Sequence, residues 1–358
     1  MHIAFLQNSE WDLFNYFVKK NLKKNIVINK KFTKYWFCED NKNWQIQICK
    51  NKFNKIKAVN MFIKEKVIFN KKKHYIIWTS IAYSEKKFRT KGIVGLMLLN
   101  LHRKNPIIVS TCANTNSLPL NNQLGIKIPN LQMKRFIYIH NFECLKLAKK
   151  NFRSTLMKNI KFRNFNNNQN LEISWTNKIP LEIDILWKKF SKYFKLCIEK
   201  NHRYLKKRYI ACPFQKYNFL TIRNNNRLIG FVIIKFQKTK FGNCARIVDF
   251  ISEKKHLNNI LNLTLINCEK KKCLFTDFIH VGNLFNQYFK KSGFVITNNK
   301  NNLDQIPNLL SPIDYRRWSN TFHLGGYLIK NQKHKLNSND IWFTKGDGDR
   351  DWPTYYDI

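Results

Sequence analysis

Two glycines that follow a run of basic residues form a pattern able to bind a phosphate-bearing ligand. Gly92 and Gly95 carry no side chain, so the backbone amides around Ile93 can approach a ligand closely. An apolar run at residues 74–83 precedes this segment and another follows it, which predicts a strand and then a helix that begins at the glycines. The N-terminus of such a helix offers N–H donors and the positive end of its dipole to an anion, and Arg89 and Lys91 add positive charge.

Three carboxylates at or near the ends of predicted strands are the candidate general bases. Asp249 lies within the apolar strand ARIVDFIS, where a buried carboxylate needs a partner or a function. Arg246 is the candidate partner, and a structural ion pair between the two is the alternative interpretation. Glu85 and Glu253 are followed by lysines, so for both the alternative is an ordinary surface charge.

Two further groups of residues are candidates for substrate binding. His202 and Arg203 precede a segment rich in aromatic residues and lysines, and they are predicted to bind an anionic substrate or to lie on an exposed helix face. Asp347 and Asp349 alternate in the segment KGDGDRD, as acidic residues do at the start of a calcium loop. The segment lacks the glycine and the final carboxylate that an EF-hand requires, so no metal site is predicted. The tail therefore either packs on the basic body or folds over the site.

The length of 358 residues predicts two domains, because single cores tend to divide beyond roughly 250–300 residues. The expected organisation is an α/β domain at 1–150, a connector at 151–170, a second domain at 171–330 and an Asp-rich tail at 331–358. A strand, a helix, a strand and a helix that ends at glycine follow one another in both predicted domains. We further expect a strand at Lys34–Glu39 and helical structure throughout residues 183–210.

The formal net charge of +43 suggests an anionic partner, but it has a second explanation. Lys, Asn, Ile, Phe and Tyr are abundant while Gly and Pro are scarce, which is typical of an A/T-rich genome. Because the basic residues are spread along the whole chain, nucleic acid is not the expected partner. The nine cysteines form no CxxC pair, which predicts reduced thiols in a cytoplasmic protein without a transmembrane segment.

The first half of the chain resembles a GNAT-type acyltransferase. The pattern of that family is R/Q-x-x-G-x-G/A at a strand-to-helix junction, then a strand, an asparagine and a helix that ends in Gly-Phe. Arg89 and Gly92 match its first two fixed positions, Asn114 matches the asparagine, and Gly125 matches the helix end. Two positions differ from the pattern. Val94 stands where glycine or alanine is preferred, and Asn121 stands where many members have tyrosine.

The resemblance implies an α/β fold of two tandem GNAT-like domains, each with a mixed central sheet flanked by helices. It implies that Arg89–Gly95 and Asn114 bind acetyl-CoA and that an amine attacks the thioester. Resemblance to acyltransferases of bacterial surface-polysaccharide synthesis implies an amino sugar or sugar nucleotide as the acceptor. The alternatives are a Fem-type transferase that uses aminoacyl-tRNA, and a non-catalytic binding protein of the same fold. The oligomeric state stays open.

Overall fold

The computed structural model describes residues 1–22, 26–40, 42–111, 117–126, 131–148, 171–298, 303–310, 313–314, 321–331, 336–349 and 351–352. Its α-helices, α1 to α9 in chain order, are Trp11–Asn21, Lys30–Phe37, Ile93–Lys104, Ser117–Gln123, Ile183–Phe190, His202–Leu205, Leu257–Lys270, Asn286–Lys291 and Tyr327–Lys330. The strands, β1 to β19, are His2–Phe5, Cys38–Glu39, Asn43–Trp44, Ile46–Lys50, Ile56–Phe69, Lys72–Ser84, Ile107–Thr111, Lys134–Ile139, Leu171–Thr176, Leu196–Ile198, Asn218–Asn224, Arg227–Thr239, Gly242–Ser252, Cys273–Val281, Val295–Ile296, Leu309–Leu310, Ile313–Asp314, Phe322–Gly325 and Ile341–Thr344. Among these described helices, none combines the length and the apolar character needed to cross a membrane.

The first compact unit contains Met1–Leu131, Ser319–Lys335 and Gly348–Ile358. Its sheet pairs β1 with β4, β4 with β5, β5 with β6, β6 with β7 and β7 with β18. Only β6 and β7 are parallel, and α3 connects them, as a parallel pair requires. Helix α3 buries Met97 and Leu101 against the sheet, so its first turn is held beside the end of β6.

The second compact unit contains Gln132–Trp318 and Leu336–Asp347. Its sheet runs from β9 through β11, β12 and β13 to β14, and β8 and β15 extend it beyond β14. The pair β13–β14 is parallel and α7 connects it. The first unit thus gives way to the second at residue 131 instead of near 150, because β8 forms its antiparallel ladder with β14.

The same local structure occurs in both units at the end of the strand before the crossover helix. The sequence Ser-Glu-Lys-Lys stands at residues 84–87 after β6 and at residues 252–255 after β13. In both units the glutamate N–H bonds back to the neighbouring strand, from Glu85 to Lys57 at 3.0 Å and from Glu253 to Ile229 at 2.9 Å. A β-bulge lies four residues before each serine. The sheets and crossover helices of the two units confirm the predicted mixed α/β architecture with helices on a central sheet.

Two local predictions are wrong. The expected strand at Lys34–Glu39 is mostly helix α2, whose buried Phe32, Trp36 and Phe37 recur at helical spacing. Asn29 caps this helix, since its side chain accepts a hydrogen bond from the Phe32 N–H at 3.1 Å. The helical structure expected throughout residues 183–210 is divided by β10, whose three residues are all buried. Leu196 and Cys197 of β10 pair in parallel with β19, a strand more than 140 residues away.

Candidate functional site

The strands β6 and β7 of the first unit separate after a fixed point. Their parallel pairing ends at Thr79 and Ser110, although β6 continues to residue 84. Beside that point, β6 carries one extra residue relative to β5, which is a bulge at Ser80–Ile81. A bulge leaves a backbone group outside the ladder, so a polar ligand atom can bind there. The buried Asn121 donates a hydrogen bond to the Ser110 hydroxyl at 3.0 Å.

The basic glycine loop follows the end of β6, as the sequence predicts. A 3-10 turn covers Lys86–Lys91, and Gly92 has φ of +64°, a left-handed conformation that favours glycine. Helix α3 begins at Ile93, and the N–H of Leu96 bonds back to the Gly92 carbonyl at 3.0 Å. The N–H groups of the three residues before Leu96 lie in the first turn, where a helix offers no acceptor of its own. Gly92 is exposed, Val94 and Gly95 are partly buried, and Ile93 is buried.

The side chains around this loop leave its outer surface open. Arg89 is exposed, and its Nε donates a weak bond to the Ser84 carbonyl at 3.4 Å. Lys91 is also exposed. Val94 is partly buried and packs on the apolar cluster that includes Met97, so its side chain is directed at the core. Asn114, the remaining residue predicted to bind the cofactor, lies outside the described residues.

Glu85 forms an ion pair with a neighbouring lysine and is not a free carboxylate for proton transfer. Its carboxylate lies 3.1 Å from the Lys57 ammonium. Glu253, which takes the corresponding place in the second unit, lies 3.1 Å from both Lys189 and Arg227. The paired repeats therefore use this glutamate in the same way, as the anion of a partly buried ion pair.

The C-terminal tail brings a carboxylate to the bulge of the first unit. The Ser80 hydroxyl donates a hydrogen bond to Asp349 at 2.9 Å. The preceding Gly348 has φ of +66°, and a Cβ at this position would lie 2.7 Å from the indole of Trp78. Only glycine therefore allows the tail to lie this close to β6. Asp349 is partly buried, at the point where β6 and β7 separate.

The second unit has the same strand divergence, but the gap is filled. Pairing of β13 with β14 ends at Ile247 and Phe278, and Val248 is the bulged residue. Strand β19 then pairs with the end of β14. The Lys345 N–H bonds to the Ile279 carbonyl at 2.9 Å, and the Gly346 N–H bonds to the Val248 carbonyl at 3.2 Å. The segment from β19 to Gly346 thus replaces the missing pairing between β13 and β14.

A buried charge cluster lies in this gap. The Lys200 ammonium is 2.7 Å from Asp249 and 3.0 Å from Asp347, and all three side chains are fully buried. It also donates to the Thr344 hydroxyl at 3.1 Å, and Tyr209 donates to Asp249 at 3.0 Å. Asp249 and Asp347, both candidate site residues from the sequence, are therefore brought together by Lys200, which the sequence did not indicate.

Burial and charge act against each other in the Lys200 cluster. Burial raises the pKa of Asp249 to about 6, although the adjacent Lys200 opposes the rise. For Lys200, burial would lower the pKa, but the attraction of Asp249 and Asp347 outweighs it and raises the pKa instead. The lysine is therefore an ammonium ion at neutral pH. Asp249 is held by this cation and by Tyr209, so it is a structural ion instead of a free base.

The predicted pairing of Arg246 with Asp249 is wrong. Arg246 instead lies 2.9 Å from Asp277 on the neighbouring strand, and Arg135 approaches the same carboxylate at 2.8 Å. Burial would raise the pKa of Asp277, but Arg246 and Arg135 lower it to about 2. Arg246 therefore belongs to a buried structural triad and not to a substrate site.

Among the described residues, His202 and Arg203 form no bond to the Lys200 cluster. His202 and Arg203 begin the four-residue helix α6, and the His202 N–H bonds to Asp184 at 2.6 Å. Arg203 is exposed, and within the described part of the chain neither side chain forms a hydrogen bond or an ion pair. Sequence reasoning missed Lys200, Tyr209 and Thr344. The available signal was the repeated Ser-Glu-Lys-Lys. It aligns Val248 with Ser80, and so marks the neighbourhood of Asp249 as the second unit's counterpart of the first unit's site.

Solved structures identify the fold. The chain is similar to a GCN5-related N-acetyltransferase from Anabaena variabilis, with a TM-score of 0.58 and 7% identity over 90% of this chain and 72% of that one. It is also similar to a protein of unknown function from Enterococcus faecalis, described as a probable N-acyltransferase. That match has a TM-score of 0.56 and 9% identity over 83% of this chain and 70% of that one. No family model and no curated protein sequence matches the chain. At such low identity, the similarity establishes a GNAT-like fold.

Proposed function

We propose that this GNAT-fold chain is an N-acyltransferase that moves an acyl group from a CoA thioester to an amine, with the reaction taking place where β6 and β7 separate. The proposal rests on three features that occur together. The first turn of α3 after the exposed Gly92, the bulge at Ser80 and the carboxylate of Asp349 all lie at the same end of β6. These parts supply an anion site, a backbone group outside the ladder and a proton acceptor.

The donor is assigned to the first unit because only its loop is suited to a diphosphate. The amides of Ile93–Gly95 point out of a helix that begins at an exposed glycine, and Arg89 and Lys91 add positive charge. The corresponding turn of the second unit, Lys254–His256, contains no glycine. Every residue there carries a side chain that limits how closely a diphosphate approaches the backbone.

The reaction needs three events at the divergence of β6 and β7. An acceptor ammonium first gives a proton to Asp349, which leaves a neutral amine. The amine nitrogen attacks the thioester carbonyl, and the bulged backbone near Ser80 stabilises the developing oxyanion. The C–S bond then breaks, the thiolate leaves, and the nitrogen loses its second proton to solvent to give the neutral amide. Because Asn121 has no acidic proton, the thiolate takes its proton from solvent, and Asp349 returns its own proton to solvent before the next cycle.

The finer proposal is that the acyl group is acetyl and that the acceptor is the amine of a sugar or sugar nucleotide. It is supported by the resemblance of the sequence to acyltransferases of surface-polysaccharide synthesis. The high positive charge of the chain also favours an acceptor that carries phosphate.

The experiment combines binding with transfer. Calorimetry of the full chain with acetyl-CoA should show micromolar binding, and mass spectrometry should show acetylation within a panel of amino sugars and amino-sugar nucleotides. Asp349→Asn should retain acetyl-CoA binding and lose most of the transfer rate, by about 10²–10⁴-fold for loss of a general base.

Asp12→Asn is the matched control, since Asp12 is an exposed carboxylate of the same unit. It should change neither binding nor transfer. If the full chain binds neither acetyl-CoA nor a longer acyl-CoA, the proposal is wrong.

A further inference from the structure

A pocket of about 620 Å³ lies at one edge of the second unit's sheet. Its walls include Trp175 from β9, Asn218 from the start of β11, and Asn243 from the start of β13. Asn243 precedes Asp249 by six residues of the same strand, so the pocket is about 20 Å from the Lys200 cluster. The volume falls within the range of about 300–1,000 Å³ that is typical of small-ligand sites. This pocket is therefore separate from the divergence of β13 and β14.

Aromatic rings form one wall of the pocket. Trp175 and Phe236 lie with ring centroids 5.7 Å apart and planes inclined at 54°, and both are partly exposed. Tyr217 is buried at the pocket wall. Trp175 stands on β9, which is the outermost strand of this ladder. An aromatic face carries partial negative charge, so it attracts the polarised C–H groups on the apolar face of a sugar ring.

Amide side chains lie beside the aromatic wall. Asn177 and Asn218 are exposed, and neither side chain bonds to another residue in the part of the chain that the structure describes. An amide presents a donor and an acceptor next to each other, which matches a pair of neighbouring hydroxyl groups. Stacking rings combined with available amides suit a ligand that has one apolar face and a rim of hydroxyls.

The charge of the pocket indicates the type of ligand. The Lys271 ammonium lies 5.9 Å from the Trp175 ring centroid, and no carboxylate is present among the described residues that line the pocket. A ligand stacked on Trp175 would therefore have a cation next to it and no acidic group to repel an anion. A sugar that carries a carboxylate uses all of these features.

We propose that this pocket binds an acidic saccharide, with a ring stacked on Trp175, hydroxyls bonded to Asn177 and Asn218, and a carboxylate paired with Lys271. The site goes beyond the transfer reaction and does not depend on it.

A glycan array probed with the labelled full chain tests the proposal. At 0.3 M NaCl, where exposed charges are screened beyond a few ångströms, uronate-containing glycans should be retained above their neutral counterparts. Calorimetry with a hyaluronan tetrasaccharide and with chitotetraose then gives the preference as a ratio. Trp175→Ala should weaken binding at least tenfold, and Lys271→Gln should remove the preference for the acidic glycan.

Two further variants keep the test decisive. Asn218→Asp changes an exposed side chain, leaves the core intact and should repel the acidic glycan even if Trp175→Ala folds poorly. Phe53→Ala removes an exposed ring of the first unit and should have no effect. The proposal fails if no glycan is bound in a Trp175-dependent way, or if an oligouridylate depends on Trp175 instead. Acetyl-CoA binding, measured in parallel, reports separately on the transferase proposal.

Discussion

At the scale of single residues, the same residue type has different roles in different surroundings. Asp249 and Asp277 are both fully buried on neighbouring strands of the second unit. The pKa of Asp249 is raised to about 6 by burial despite one lysine, whereas two arginines lower that of Asp277 to about 2. The number and the geometry of the cations decide which effect wins, and neither is visible in the local sequence.

Replacement of Lys200 by methionine should be strongly destabilising. The variant leaves Asp249 and Asp347 buried without their cation, which typically costs about 3–5 kcal/mol of unfolding free energy. Lys195→Met is the matched control. That lysine is half exposed where it meets Asp340, so its loss should cost no more than about 1 kcal/mol. Urea denaturation of both variants measures the difference, and equal costs would contradict the structural role.

The raised pKa of Asp249 predicts a pH dependence of known sign. Between its ordinary value of 3.8 and about 6, the folded state binds a proton that the unfolded state does not. The contribution of this group to stability therefore falls as the pH rises through that window. Asp249→Asn does not titrate, so the stability of the wild type relative to this variant should be greater at pH 4 than at pH 7. Urea midpoints across this range give the result, and a constant difference would refute it.

Val94 differs from the GNAT pattern, which has glycine or alanine at this position, but its side chain packs on the apolar cluster that includes Met97. Val94→Ala should therefore leave the affinity for acetyl-CoA unchanged by calorimetry. It should lower the free energy of unfolding by about 1 kcal/mol in urea denaturation, because packing against the cluster is lost. Leu96→Ala, an exposed change in the same helix, should cost less. A large change in acetyl-CoA affinity in Val94→Ala would contradict the inward direction of this side chain.

At the scale of elements, the C-terminal segment fills the gap between divergent strands in the second unit and contacts strand β6 in the first. In the second unit, β19 and Gly346 bond to the ends of β13 and β14. In the first unit, Gly348 lies against Trp78, and Asp349 reaches Ser80. The glycines allow this approach because their neighbours leave no space for a Cβ. The tail is thus part of the fold of both units and not an appendage.

Gly348→Ala should displace the tail from the first unit. Its Cβ would lie 2.7 Å from the Trp78 indole, and φ of +66° adds backbone strain. We expect transfer to be lost while acetyl-CoA binding persists, because the donor loop is not touched. Gly125→Ala controls for strain alone. Gly125 has φ of +69°, but nothing lies within 4 Å of its Cβ position, so transfer should continue in that variant.

At the scale of the whole molecule, the charge of +43 affects association more than fold. An anionic donor such as acetyl-CoA should be attracted by the summed field, and the field is screened over about 8–10 Å at physiological salt. The association rate of acetyl-CoA in stopped-flow should therefore fall steeply between 0.02 and about 0.3 M NaCl, whereas the dissociation rate should change less. An association rate that is independent of salt would show that the charge has no part in capture.

The sequence by itself determined the elements whose causes are local. The glycine loop before α3 and the α/β order of both halves follow from apolar period and turn residues, which act over a few positions. The boundary at residue 131, the strand β10 inside an expected helix, and the partners of Asp249 and Arg246 depend on β8, β14 and β19. Only the tertiary structure decided these, because strand pairing and charge burial join residues that lie far apart in the sequence, from 31 positions for Arg246 and Asp277 to more than 140 for β10 and β19.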